Sequence, residues 1–264
     1  MNKNNISTII PTYKEPDFLD LAIYSLINGQ DNQNNQIVIV VDGTYEINKF
    51  ILDKWKTKID VIVFEQNYGL SKATNYGVYN SKYDNIFIIN SDNVAPKHWD
   101  TLLLKDFESN DVLTPNQIEP YDSMFKQFIK HDFGRNTKDF NYDCFIKKSE
   151  DEFRKDIIEL TGSTLPFLIK KQNFLKIGGW SEEYPSNTGQ VVDWEWFLKC
   201  ELCGLVMKRT YNCHFYHFVS TSTITQEQMK QKQKIEQECF DFFKYKWGRY
   251  PSHNLQTNSK RFTD

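Results

Sequence analysis

Acidic, amide and hydroxyl side chains of this 264-residue chain gather just past short apolar runs. Thr12, Tyr13 and Glu15 follow Ile6–Ile10 and Pro11, and Asp42 and Gly43 follow Ile37–Val41. Asn67 to Gly69 follow Val61–Phe64, and Asn90-Ser91-Asp92-Asn93 follow Ile86–Ile89. Carboxylate oxygens suit Mn2+ and Mg2+, which often keep waters and bridge a carboxylate to phosphate. Neutral imidazole also suits Mn2+, and His214 and His217 form a His-x-x-His pair late in the chain. Asp193 opens an Asp-Trp-Glu-Trp stretch and could take a proton if burial or a neighbouring charge raised its pKa. Each group also has a plain structural reading. Asp-Gly is a common turn, Asp92 can cap a turn, Asp193 can cap a helix, and a histidine among aromatics can simply be packed. Two strand residues three apart face opposite sides, so His214 and His217 compete for any one site.

The apolar runs are the elements that must position these groups. Ile37–Val41 is five β-branched residues in a row, as in a parallel strand buried on both faces. Pro16–Asn28, Ile47–Trp55 and Leu70–Tyr79 carry apolar residues at helical spacing between the strands. Strand and helix thus alternate through four strands, which predicts an α/β fold with a parallel sheet. Ligands bind such sheets at the carboxyl ends of the strands, where the polar groups stand. Val112–Lys155 is less regular and reads as an excursion, with one helix near Met124–Lys130 and a mobile loop near Asn136–Tyr142. A helix over Asp193–Cys203, a strand over Leu205–Arg209 and a charged helix over Thr225–Lys246 follow.

The aromatic share of 15% fits ring stacking on bases and sugars without requiring it. A net charge of −3 argues against a nucleic-acid partner. Of the five cysteines only Cys200 and Cys203 are close, and no second pair completes a zinc site. They read as buried structural thiols, and free thiols point to a reducing, cytoplasmic location. No signal peptide opens the chain, and no apolar run reaches the roughly 20 residues of a membrane helix, so a soluble protein is expected. The lysines and late aromatics of the tail helix allow membrane or partner contact, but packing of the aromatic end onto the domain is the preferred reading.

An ordered set of segments resembles glycosyltransferase family 2, the inverting group with the GT-A fold. The segments are Ile9-Ile10-Pro11-Thr12-Tyr13-Lys14-Glu15, Val40-Val41-Asp42-Gly43-Thr44, Asn67 to Gly77 and Ile89-Asn90-Ser91-Asp92-Asn93. Ile177-Gly178-Gly179-Trp180, Asp193-Trp194-Glu195 and His217 complete it. The resemblance implies a Rossmann-like, mostly parallel central sheet flanked by helices, with a C-terminal acceptor-side region. It implies one domain over residues 1–250: a nucleotide-sugar-binding half (1–110), an acceptor half (111–224) and a C-terminal helix (225–250), then a flexible tail over 251–264.

Residue by residue, Pro11, Thr12, Tyr13, Glu15, Asp42, Lys72, Asn90, Ser91 and Asp92 would hold the nucleotide sugar. Asp42 would accept a hydrogen bond from the base, and Lys72 would reach the diphosphate unless it is an ordinary helix lysine. Gly179, Trp180, Trp194 and Glu195 would border the acceptor. Asp92 and His217 would hold Mn2+ or Mg2+, with His214 as the competitor, and Asp193 would be the catalytic base. Two positions depart from the family: Asn90 replaces the first acid of Asp-x-Asp, and Val192 the first acid of Glu-Asp.

The implied activity is metal-dependent, inverting transfer of a hexosyl or N-acetylhexosaminyl group. The donor would be a nucleotide sugar, with UDP-sugars first in line, and the acceptor a glycan or glycoconjugate hydroxyl. The two departures motivate an alternative, a catalytically degenerate domain that binds nucleotide or glycan. A dinucleotide enzyme is disfavoured, because Pro-Thr-Tyr-Lys-Glu-Pro stands where Gly-x-Gly-x-x-Gly would be.

Overall fold

The computed structural model describes residues 4–123, 125–160, 165–189, 191–219 and 226–251. Its first half alternates β1 (Ile6–Thr12), α1 (Pro16–Gly29), β2 (Gln36–Asp42), α2 (Tyr45–Trp55), β3 (Asp60–Phe64), α3 (Leu70–Tyr79) and β4 (Asn85–Ile88). Next come β5 (Asn93–Val94), α4 (Trp99–Asp106), β6 (Asp111–Glu119), β7 (Ile129–Lys130), α5 (Tyr142–Lys148) and a π-helical turn over Ser149–Phe153. The chain continues with β8 (Ile158–Glu159), β9 (Phe167–Lys170), α6 (Lys171–Lys176), α7 (Val192–Leu202), β10 (Val206–His217) and α8 (Gln226–Trp247).

One sheet runs in the order β3-β2-β1-β4-β9-β6-β10-β5, with β7 beside β6 and β8 beside β10. The strands β3, β2, β1 and β4 are parallel, β9 is inverted between β4 and β6, and β6 and β10 are parallel again. Strand residues alternate between faces, so the β-branched runs feed two cores. Ile9, Val38, Val40 and Ile86 pack with Ala73 of α3, Phe174 of α6, Trp196 of α7 and Phe243 of α8. On the opposite face, Ile10, Ile37, Ile39 and Phe87 pack with Leu19, Ile23 and Leu26 of α1, Leu52 of α2 and Trp99 of α4. A third cluster, with Phe133, Phe145, Tyr216 and Phe218, seats the excursion against β10.

The parallel half follows the sequence reading closely, and the excursion does not. The helix expected near Met124–Lys130 is absent among its described residues, which form turns and then β7. The loop near Asn136–Tyr142 is a built turn: Asn136 Oδ1 accepts from the amides of Lys138 and Asp139, and Asn141 caps α5. The strand over Leu205–Arg209 extends as β10 to His217, through a register shift between Thr210 and His214. Cys200 is buried, but Cys203 is exposed because α7 ends at Leu202. All but one residue of the expected tail over 251–264 lies outside the described residues. The aromatic end of α8 packs on the domain through Phe240, Phe242, Phe243 and Trp247, and no described helix is long and apolar enough to cross a membrane.

Gly77 lets α3 lie close on β1 and β2. A Cβ there would stand 2.5 Å from Ile9 Cγ2 and 3.0 Å from Val40 Cγ2. Gly77→Val should therefore lower stability by about 2–3 kcal/mol through overpacking, read from urea unfolding. An unchanged midpoint would contradict this packing.

Candidate active site

The carboxyl ends of β1 and β2 open into a cleft of about 440 Å³. Pro11, Thr12, Tyr13 and Glu15 line one wall, Asp42 the floor beside them, and Asn90, Ser91 and Asp92 the far side. Thr44 Oγ1 and Asn48 Nδ2 of the α2 region donate to the Tyr13 carbonyl and fix the β1–α1 loop. The Thr12 hydroxyl is buried without a hydrogen-bond partner, so it is left to a ligand. Tyr13 stays 41% exposed, with its ring at the cleft and the Lys14 ammonium 4.7 Å from its centroid. A hydrogen bond with Asn67, then one with Lys14, holds its phenol below the ordinary value.

Asp42 does more than end a strand. Its two oxygens accept the amides of Tyr68 and Gly69 at 2.7 and 2.8 Å, tying the β3–α3 loop to the cleft. Gly43 makes that approach feasible: its φ is +74, and a Cβ would meet Asn67 N at 2.4 Å. Gly69, at φ +96, also packs closely on Asn187, where a Cβ would stand 2.9 Å from its Cα, and the Asn187 carbonyl accepts the Leu70 amide at 3.1 Å. Asn187 and Thr188 thereby close the cleft wall.

Three strand ends bring distant residues together. β5 pairs antiparallel with β10, placing Asn93 opposite His217, and the Phe218 amide donates to the Asp92 carbonyl at 3.1 Å. β6 lies parallel to β10, with Tyr216 opposite Ile118, so Glu119 ends beside His217. His217 Nε2 stands 3.4 Å from Asp92 Oδ2, and Nδ1 lies 2.9 Å from Glu119 Oε1. Burial disfavours the charged ring, but the Asp92 charge, hydrogen bonds to both acids and the Glu119 charge outweigh it and lift the pKa to about 10.

A carboxylate on Nδ1 is the partner that orients a metal-binding imidazole and leaves Nε2 for the ion. The donors present, Asp92 oxygen and His217 Nε2, therefore fit a divalent cation. Among the described residues no group of three or more His, Cys, Asp or Glu could hold a metal ion, so a phosphate ligand and water would have to complete the shell. His214 is not part of this arrangement. It is buried on the other side of β10, both ring nitrogens lack partners, and burial, then the charges of Lys155 and Arg154, lowers its pKa to about 3.

The residues assigned to the acceptor stand elsewhere. None of Gly179, Trp180, Trp194 and Glu195 lines the cleft. Trp180 is 2% exposed and Glu195 is 1% exposed, so neither can touch an acceptor in this conformation. Glu195 points inward from α7 to the Lys246 ammonium, 2.9 Å away. Trp194 packs against Phe240 of α8. Gly179 borders a separate hollow of about 280 Å³ that it shares with Lys72. Lys72 itself rests on the Tyr68 ring, 3.9 Å from the centroid, and not in the cleft. Asp193 is half-buried in the first turn of α7, its Oδ1 accepting the Trp194 amide, and Val191 rather than Asp193 is the N-cap. It does not line the cleft; the Asn187-Thr188 segment leading into its helix does.

The glycosyl transferase family 2 model matches residues 7–171. The chain belongs to glycosyltransferase family 2. A chondroitin synthase of Pasteurella multocida is 31% identical over 118 residues, which is 43% of this chain and 12% of that protein. An uncharacterized glycosyltransferase of Haemophilus influenzae is 23% identical over 251 residues, covering 89% of this chain and 82% of its own. A hyaluronan synthase of Pasteurella multocida is 24% identical over 112 residues, 41% of this chain and 12% of that one. The fold is that of a GT-A glycosyltransferase: a crystal structure of GalNAc-T7 with UDP, GalNAc and Mn2+ superposes with a TM-score of 0.55 at 14% identity, over 82% of this chain and 44% of that one. The chain thus spans about an eighth of the two synthases and under half of GalNAc-T7.

The family match contains Asp42 and Asp92 but stops short of Asp193 and His217. Both departures from the family's acids have visible surroundings. Val192 is buried in the core beside Trp196, where a carboxylate would need a partner, and Asn90 turns the chain toward β5.

A raised folded pKa means that the His217 cluster stabilises the metal-free protein fully below the unfolded value of about 6.5. That contribution fades as pH climbs through about 10. Thermal melts in chelator should show an advantage over His217→Gln at pH 6 that shrinks toward pH 10. A gap independent of pH would contradict the cluster.

Proposed function

We propose that this glycosyltransferase moves a sugar from a UDP-sugar to a hydroxyl of a glycan or glycoconjugate, with inversion and with the aid of Mn2+ or Mg2+. The observation that carries the reading is the meeting of Asp92 and His217 at the cleft that Thr12 and Asp42 build. The relatives support the donor and acceptor classes: two are named for synthesis of chondroitin and hyaluronan, and the similar structure holds UDP, GalNAc and Mn2+. They leave hexosyl and N-acetylhexosaminyl transfer equally open.

In this reading the Tyr13 ring stacks on the base, while the free Thr12 hydroxyl and the loop tied by Asp42 grip the nucleoside. Asp92 and His217 Nε2 would hold the cation, which would supply positive charge opposite the leaving diphosphate. The acceptor oxygen attacks the anomeric carbon as the bond to the diphosphate breaks, which inverts configuration. Its proton passes to Asp193, in the first turn of the helix that follows the cleft residues Asn187 and Thr188. With Trp180 and Glu195 buried, the acceptor surface falls to the 112–155 excursion.

A screen of nucleotide sugars with and without Mn2+, read by product mass, should find metal-dependent transfer or hydrolysis. Asp193→Asn should keep UDP binding and lower kcat about 10²- to 10⁴-fold. Wild-type rates in that variant would remove Asp193 as the base, and nucleotide binding without turnover by the native chain would favour the binding-module alternative raised by Asn90 and Val192. Glu119→Ala should weaken Mn2+ binding about 10- to 100-fold, measured by electron paramagnetic resonance without any turnover. Unaltered Mn2+ affinity would place Glu119 outside the metal's support.

A further inference from the structure

The α8 helix lies beyond the segment matched to the family, yet one of its side chains touches both ends of the segment that carries the cleft residues Asn187 and Thr188. The Lys246 ammonium stands 2.9 Å from Glu195 Oε1, 3.1 Å from Glu183 Oε2 and 3.1 Å from Ser181 Oγ. Glu195 is a buried carboxylate, and such a charge holds its place only with a partner. One ammonium therefore pins the chain at 181–183 and again at 195.

The segment between those pins holds the features that matter to the cleft. Asn187 and Thr188 form part of its wall, and the Asn187 carbonyl takes the Leu70 amide of α3. Val191 sits at φ +69, a conformation that is a marked outlier for a β-branched residue. Such strain persists only where the surroundings hold the backbone on both sides. Asp193 follows two residues later.

We propose that Lys246 is a positioning residue: by bridging Glu195 to Glu183 and Ser181, it fixes the cleft-wall segment and the first turn of α7 that bears Asp193. The catalytic part of this inference rests on the assignment of Asp193 as base; the mechanical part does not.

Removing Lys246 alone would strand a buried carboxylate, and the protein could fail to fold. The Glu195→Gln/Lys246→Met double variant of the full chain removes both charges together. It should melt close to wild type, yet show roughly tenfold faster amide exchange across residues 185–195. Hydrolysis of UDP-GlcNAc with Mn2+ should fall roughly 100-fold in kcat, since small misplacements of a reacting group cost that much. UDP should still bind, and Lys246→Arg should retain wild-type exchange and rate. Wild-type exchange together with wild-type kcat in the folded double variant would overturn the proposal. No hydrolysis by the wild type, or full activity in Asp193→Asn, would overturn the reading of the donor or the base, and the exchange data would then judge the clamp alone.

Discussion

The pairing of β5 with β10 is the constraint on which the rest of the site depends. β5 has only two residues, so Asp92 gains its place from the partner strand rather than from a run of its own. That partner is long, crosses a register shift, and delivers His217 at its last position. Its other neighbour, β6, ends at Glu119 on the opposite side of the imidazole. Strand order and register together bring a carboxylate to each ring nitrogen. The paired backbone amides and the aromatic cluster behind Tyr216 and Phe218 keep that order rigid.

The cleft is assembled by the same logic at the neighbouring carboxyl ends of β1 and β2. Asp42 uses its charge to hold the β3–α3 loop by two amides, so its role is architectural whatever else it touches. The loop in turn meets Asn187 through Gly69, where a side chain would push the two apart. Three stretches far apart in sequence thus share one wall, and each is fixed by hydrogen bonds to the next. The Thr12 hydroxyl remains as an unmet donor inside this cleft.

The parallel half of the fold was legible because β-branched runs and helical spacing say what they form. Asp42 and Asp92 were legible for the same reason, as acids that directly follow such runs. Glu119 carried the same signal, an acid after Ile118 and before Pro120, but β6 is built from Thr114, Pro115, Asn116 and Gln117, and its polar composition hid a strand that is buried throughout. The length of β10 was hidden by the irregularity between Thr210 and His214. The residues assigned to the acceptor stand away from the cleft for a different reason. Trp194 and Glu195 stand in segments that resemble the family, but each side chain turns to a partner on α8, and no local pattern reports that contact.

The central claim is that Asp92 and His217 share one cation at the cleft. The most direct measurement is an anomalous difference map from crystals grown with UDP and Mn2+, collected near the manganese edge. One strong peak is expected, bonded to an Asp92 oxygen, to His217 Nε2 and to diphosphate oxygens, with Glu119 still on Nδ1. Bound UDP with no peak there, or with manganese held by other residues, would contradict it.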